Sequence, residues 1–252
     1  MFNIKRVAKW QVVLFLAAII ILFIFLERGY AYKPFPIRED DNQKIAYLTF
    51  DDGPSRNTIK ILDILDEYGI KATFFVMANS EPEAKEGYEE MINRGHVIAL
   101  HTFSHNYGHI YTSSEAFFEN IEKLEDFLWD NYQIKSNILR FPGGSKNISS
   151  RTYGGPGIMN KIAEECNEKG YRYFDWNVDS RDGDGPYVSV ERITSNVLRG
   201  AKNHKKAIIL LHDINSMKNT VTALPNIIKG LQEQGFSFGV IDEYTEDMQF
   251  RR

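Results

Sequence analysis

Five short segments of this chain carry side chains that can do chemistry together. They are Thr49-Phe50-Asp51-Asp52-Gly53-Pro54, His101-Thr102-Phe103-Ser104-His105, Arg140-Phe141-Pro142-Gly143-Gly144, the aspartates Asp175, Asp179 and Asp182, and Leu210-Leu211-His212-Asp213. Two neutral imidazoles and one carboxylate give three N/O ligands with an open fourth position, the usual donor set of a catalytic zinc. A second carboxylate beside them, not used as a ligand, can deprotonate an activated water. A histidine from another segment can protonate a leaving group, and an arginine can hold the base in place. Each segment also has a plainer reading. Asp-Asp-Gly-Pro is a good turn sequence, and a His-x-x-x-His pair is often only a surface feature. His212 suits a core histidine, Arg140 suits a structural ion pair, and His109 and His204 read as solvated loop residues. The plain readings weaken once the five segments are placed in the architecture, because all fall on one rim.

Seven apolar runs rich in β-branched and aromatic residues read as strands: 45–50, 72–77, 97–101, 138–141, 171–178, 207–212 and 236–244. Stretches with helical periodicity lie between them. Ile59, Leu62, Ile64 and Leu65 mark one, closed by Gly69. Phe117, Ile121, Leu124 and Leu128 mark another, with Thr112 and Glu115 at capping-box spacing. Met159, Ile162 and Ala163 mark a third, closed by Gly170. Val221, Leu224, Ile227, Ile228 and Leu231 mark a fourth, with Pro225 as its start or a kink. This alternation requires right-handed crossovers and a parallel sheet buried on both faces. Seven units suit a closed barrel or a doubly wound open sheet, and both place a site at the carboxyl ends of the strands. The five segments sit at those ends.

The chain has 252 residues with 30 basic and 34 acidic side chains, a net of −4, which argues against a general nucleic-acid binder. Its one cysteine, Cys166, excludes an internal disulfide framework and any multi-cysteine metal site. Any catalytic metal must therefore rest on His and Asp. Val12 to Leu26 is free of charge and strong polarity, follows Lys5, Arg6 and Lys9, and is closed by Glu27 and Arg28. A basic start before an apolar run is an export signal with the positive side in the cytoplasm. As a helix, residues 12–26 span about 22 Å, and Trp10, Tyr30 and Tyr32 extend the run as interfacial aromatics. The expectation is an N-terminal hydrophobic helix in residues 1–32 that anchors the chain, with signal cleavage near Gly29-Tyr30-Ala31 as the alternative. Residues 33–44 read as a linker and 45–252 as one domain outside the membrane. Without residues 1–32, 26 basic and 33 acidic residues remain, a net of −7.

The motifs resemble those of the polysaccharide deacetylases of carbohydrate esterase family 4, the NodB-homology domain. That family carries TFDDG, H-[ST]-x-x-H, R-x-P-Y, D-x-x-D-W and L-x-H in this order, and the match runs from Ile45 to about Tyr244. The resemblance implies a distorted (β/α) barrel of about seven parallel strands. It implies Asp51 as general base, Asp52, His101 and His105 as metal ligands, Arg140 as the group orienting Asp51, and His212 as general acid paired with Asp182. Phe141, Pro142, Gly143 and Leu210 fall at its substrate-contacting positions. Two departures bear on the substrate pocket. Gly143 stands where the family usually has Tyr, and Gly183 where it has Trp; Trp176 is the upstream residue able to fill similar space.

The implied reaction is hydrolysis of N-acetyl groups from aminosugars in a cell-wall polysaccharide. An anchored, outward-facing domain favours peptidoglycan, with chitin, an exopolysaccharide or an O-acetylated glycan as other substrates. A catalytically silent glycan-binding wall protein is the reading from another class. The implied cofactor is a divalent metal, with zinc suited to the ligands and cobalt, nickel or manganese able to use the same set.

Overall fold

Residue parity along the strands decides which side chains reach the site. The structure is a computed structural model in which residues 43–250 are described. The segment 1–32, read above as anchor or signal, and nearly all of the 33–44 linker lie outside the described residues. Among the described residues no helix is long and apolar enough to cross a membrane.

In chain order the first half comprises β1 (Lys44–Asp51), α1 (Thr58–Glu67), β2 (Thr73–Met77), α2 (Pro82–Asn93), β3 (Val97–Thr102), α3 (Tyr107–Ile110), α4 (Ser114–Tyr132) and β4 (Ile138–Leu139). The second half comprises α5 (Arg151–Gly154), α6 (Ile158–Glu168), β5 (Arg172–Tyr173), β6 (Val178–Asp179), α7 (Val190–Ala201), β7 (Lys206–His212), α8 (Lys218–Glu233) and β8 (Phe236–Gly239). All pairings are parallel, and the strands run β5-β4-β3-β2-β1-β7-β6 around a curled α/β sheet, with β8 beside the first half of β1.

Successive strand residues point to opposite faces. Ala46, Leu48 and Phe50 of β1 join Phe74, Leu100, Ile209 and Leu211 in the large outer core beneath the helices. Ile45 and Tyr47 join Phe75, Ala99, Ile138 and Ile208 in a smaller inner core. Burying each such large apolar side chain contributes about 1.5–3 kcal/mol. Continued toward the carboxyl ends, the inner parity reaches Thr49 and Asp51 on β1, His101 on β3, Arg140 just after β4, and Leu210 and His212 on β7. Polar chemistry therefore caps an apolar plug.

The expected barrel is open. The run 171–178 is not one strand, and the terminal strands β5 and β6 are not hydrogen-bonded to each other. Phe174 N–H still bonds Leu139 O and Asn177 N–H already bonds Ile208 O, so Asp175 and Trp176 alone cross from one edge to the other. Asp175 holds that crossing, accepting from the N–H and hydroxyl of Ser145 and from Phe250 N–H, while its own N–H donates to Met248 O. Asp175 is buried, and the crossing satisfies its polar groups through the loop after β4 and the C-terminal tail instead of a ladder.

Three local readings are corrected. Ser113, not Thr112, caps α4, accepting from Ala116 N–H at 3.1 Å, whereas the Thr112 hydroxyl bonds His109 O. Pro225 does not start α8, which begins at Lys218 and continues through it. Helices α2 and α7 add to the four read from periodicity. Half of the buried stripe of α2, Ala84, Gly87, Tyr88 and Met91, is small residues, whereas α7 buries Ile193, Val197 and Ala201 at plain helical spacing and was legible.

Candidate active site

The first site residues come from the end of β1. The register pairs Asp51 with His212 of β7, so these two lie on neighbouring strands at the same level. Asp51 is buried and accepts from Arg140 Nη1 at 2.8 Å. Arg140 is fully buried and its remaining bonds go to Thr49 Oγ1 (2.7 Å), Phe174 O (2.9 Å) and Asp175 O (3.2 Å). Its guanidinium also lies 4.1 Å from the centroid of the Phe75 ring. A fork of donors in a fixed plane suits this many acceptors, which an ammonium would not match.

Strand parity alone would turn Asp52 away from the interior. Its φ of +72° places it in the left-handed region, which a short aspartate side chain tolerates better than most. Its carboxylate thereby faces two imidazoles, Oδ1 lying 3.3 Å from His101 Nε2 and 3.6 Å from His105 Nε2. His101 follows Ala99 on the inward face, and the β2–β3 register shifts beside it: Leu100 pairs with Val76 and Thr102 with Met77. His101 Nδ1 lies 2.8 Å from Arg140 O, an acceptor only, so Nδ1 carries the proton and Nε2 presents its lone pair. His105 follows on the loop, its side chain 37% exposed against 2% for His101.

Asp52 Oδ1 is buried yet has no hydrogen-bond partner of acceptable geometry. Three lone-pair donors converging on one point are what a cation satisfies, and all lie within 4.8 Å of one another. A tetrahedral ion bound at about 2.0–2.1 Å spaces its ligands roughly 3.3 Å apart, so the donor set fits a small divalent metal. Burial opposes the Asp52 charge, but the His101 contact and the fields of His101, His105 and His212 outweigh it and hold its pKa well below the usual carboxylate range. Burial depresses the His105 pKa, favouring the neutral imidazole that a ligand needs. His101 is driven the other way, its burial overcome by Asp52 and Asp51, and a bound cation would displace that proton.

Across the cavity His212 Nδ1 faces Asp182 Oδ1 at 2.7 Å, and His212 N–H donates to Asp182 Oδ2 at 2.8 Å. Ser180 and Thr220 hydroxyls also donate to this buried carboxylate. Burial works against a charge on His212, but Asp182, helped by Asp51 and Asp52, pushes its pKa up to about 9. Gly183 is required by close approach: a Cβ there would lie 2.8 Å from His212 Cε1. The tryptophan expected from the motif pattern has no room on this backbone.

These groups share one cavity of about 370 Å³, lined by Asp51, Asp52, His101, His105, Gly143, Trp176, Leu210 and His212. Arg140 and Asp182 stand behind Asp51 and His212. Trp176 lies in the cavity wall, with the Phe250 ring 5.0 Å from its own. Phe141 and Pro142, read as substrate contacts, are not among the lining residues. The Phe141 ring belongs to the core against Phe117 and Tyr173, and Pro142 offers its carbonyl to Tyr111 and Asn147. A second cavity, about 500 Å³, opens at the N-terminal ends of β1 and β7, and no motif residue reaches it.

Sequence reading gave no role to Thr49 and Asp213, which it quoted within its segments, and passed over Thr220 and Tyr107. Thr49 was legible from parity with Asp51. Asp213, next to His212, is fully buried and takes the hydroxyls of Ser55 and Thr58, each at 2.5 Å, so it secures the loop after Asp52. Burial pushes its carboxyl up to about 6 despite those bonds.

Known proteins resemble this chain in sequence and in fold. A family model described as polysaccharide deacetylase matches residues 38–155. A peptidoglycan-N-acetylglucosamine deacetylase of Bacillus cereus is 31% identical over 82% of this chain and 72% of its own length. The chain belongs to the polysaccharide deacetylase family. Among solved structures, the catalytic domain of a peptidoglycan N-acetylglucosamine deacetylase from Eubacterium rectale is 37% identical, with a TM-score of 0.78 over 84% of this chain and 95% of that one. A Bacillus cereus polysaccharide deacetylase is 28% identical, with a TM-score of 0.72 over 82% of this chain and 97% of that one. The chain is thus a hydrolase of this deacetylase family, whose half-barrel fold it shares.

Proposed function

We propose that this enzyme removes N-acetyl groups from the aminosugars of peptidoglycan, using a divalent metal held by Asp52, His101 and His105. The observation that carries the reading is the meeting, in one cavity, of Asp52 Oδ1, which lacks a hydrogen-bond donor, and two imidazole Nε2 atoms with two charge-paired proton-transfer groups. Zinc is the ion this ligand set suits, and when bound it supplies a Lewis acid for the acetamide carbonyl oxygen. Asp51, fixed by Arg140, takes the proton from the water that attacks the carbonyl carbon. The Gly143 backbone at the cavity mouth is the chain's candidate N–H donor to the oxygen that gains charge. His212, kept protonated by Asp182, gives its proton to the sugar nitrogen as the C–N bond breaks, leaving acetate and a free amine.

The relatives named for peptidoglycan support the substrate. So does the segment 12–26, which we propose holds the domain outside the cytoplasmic membrane beside the wall polymer. Mass spectrometry of wall fragments, before and after treatment with the metal-loaded protein, tests the reading. Loss of one acetyl mass per modified sugar is expected, and chelation should abolish it. Acetate released from acetylxylan but not from peptidoglycan overturns the substrate. Tight glycan binding without acetate release overturns the catalytic assignment in favour of a silent wall-binding protein. Asp52→Ala is expected to lose the metal, read by elemental analysis, together with all turnover.

A further inference from the structure

The cavity wall beside Gly143 is built by a residue outside all five motifs. Gly143 has a φ of +74°, and a Cβ added there would lie 2.7 Å from Tyr107 Oη and 2.9 Å from Asn147 Nδ2. The tyrosine hydroxyl thus stands where a side chain at 143 would begin. Tyr107 opens α3, two residues after His105, and lines the cavity that holds Asp51, Asp52, His101 and His212. Its ring lies 5.2 Å from that of His105, at 34°, and 5.1 Å edge-on from that of Tyr111. Tyr111 is fully buried and donates to Pro142 O at 2.7 Å, the same carbonyl that Asn147 Nδ2 reaches at 2.9 Å. One braced cluster therefore fixes both the Tyr107 ring and the peptide leading into Gly143.

We propose that Tyr107 positions the substrate in this site, packing its ring against the acetylated sugar and donating its hydroxyl proton to it in the space left by the glycine at 143. A tyrosine hydroxyl is a donor at neutral pH. An aromatic ring offers large contact area with few rotatable bonds, and one already held between neighbours loses little freedom when substrate arrives. This inference rests on the deacetylase reading for the nature of the sugar, and it predicts binding as well as turnover.

The test measures binding of an N-acetylglucosamine tetramer by titration, with acetate release, metal content and melting temperature recorded on the same full-length proteins. Tyr107→Phe should weaken binding about three- to tenfold, the effect of one neutral hydrogen bond, with the metal retained. Tyr107→Ala should weaken it about ten- to a hundredfold, since the aromatic contact goes as well. In turnover the loss should appear in KM with kcat little changed, the mark of binding shared by ground and transition states. Unchanged Kd in both variants overturns the inference, whether or not acetate is released. Metal loss in Tyr107→Ala with unchanged Kd in Tyr107→Phe also overturns it, assigning the ring to support of His105. If the alanine variant does not fold, the phenylalanine variant decides. Wild type that binds the tetramer but releases no acetate defeats the deacetylase reading and leaves the Kd comparison for Tyr107 intact.

Discussion

Two buried ion pairs flank the cavity, and they are built in opposite order. On the β4 side the cation, Arg140, is behind and the carboxylate, Asp51, faces the cavity. On the β6–β7 side the carboxylate, Asp182, is behind and the imidazole, His212, faces it. In both, the group set back is locked by several bonds, four for Arg140 to Thr49, Asp51, Phe174 and Asp175, and a ring of donors for Asp182. Arginine cannot release a proton under ordinary conditions. Arg140 therefore holds Asp51 in place without giving up a proton of its own, whereas the histidine held by Asp182 carries a proton to give. Under the proposed roles, the same two charges, reversed, divide base from acid.

The largest test of that contrast is Asp51→Asn. It keeps shape and removes basicity, so acetate release should fall about 10²- to 10⁴-fold with bound metal unchanged. Undiminished release would break the assignment of the first wall. Asp182→Asn acts on the second. The His212 pKa, raised to about 9 by its neighbour, should fall toward its ordinary value near 6.5. The alkaline limb of the rate profile should move down with it. The stability that the charged pair contributes is fully present below about 6.5 and is lost as pH rises through about 9, so the gap in melting temperature between wild type and variant should narrow above that range. A rate profile with an unmoved limb would erase the distinction between the walls. Thr220→Val gives the smallest effect. Losing one donor makes Asp182 more basic, so the limb should shift slightly upward. The lost bond should lower stability by about 1 kcal/mol, roughly 2–4 °C in Tm for a domain of this size. A downward limb would mean that Thr220 acts on His212 by another route.

Much of this was readable in the chain because strand parity is strict. Asp51, His101, Arg140 and His212 fall on the same inward face as Ile45, Ala99, Ile138 and Ile208, so an apolar pattern locates the polar site above it. What parity could not supply depends on contacts distant in sequence. The register shift between β2 and β3 beside His101 exists only between two paired strands. The break at Asp175 needs Ser145 and Phe250 to receive its carboxylate. Tyr107 and Asp213 lie within two residues of motif histidines, yet nothing in their own surroundings marks them until the Gly143 peptide and the Ser55 and Thr58 hydroxyls are beside them. Helix α2 was hidden for a compositional reason, since Gly87 and Ala84 supply half its buried face.

The register that sets Asp51 opposite His212 has a further consequence. Adjacent strands lie about 4.8 Å apart, a distance held by backbone hydrogen bonds and not by loops. Under the proposed roles, the point where one proton is collected and the point where the next is delivered are therefore separated by a single step of the sheet. Loops around the mouth can change their grip on a polymer while that step keeps its length. The sheet acts as a ruler for the reaction.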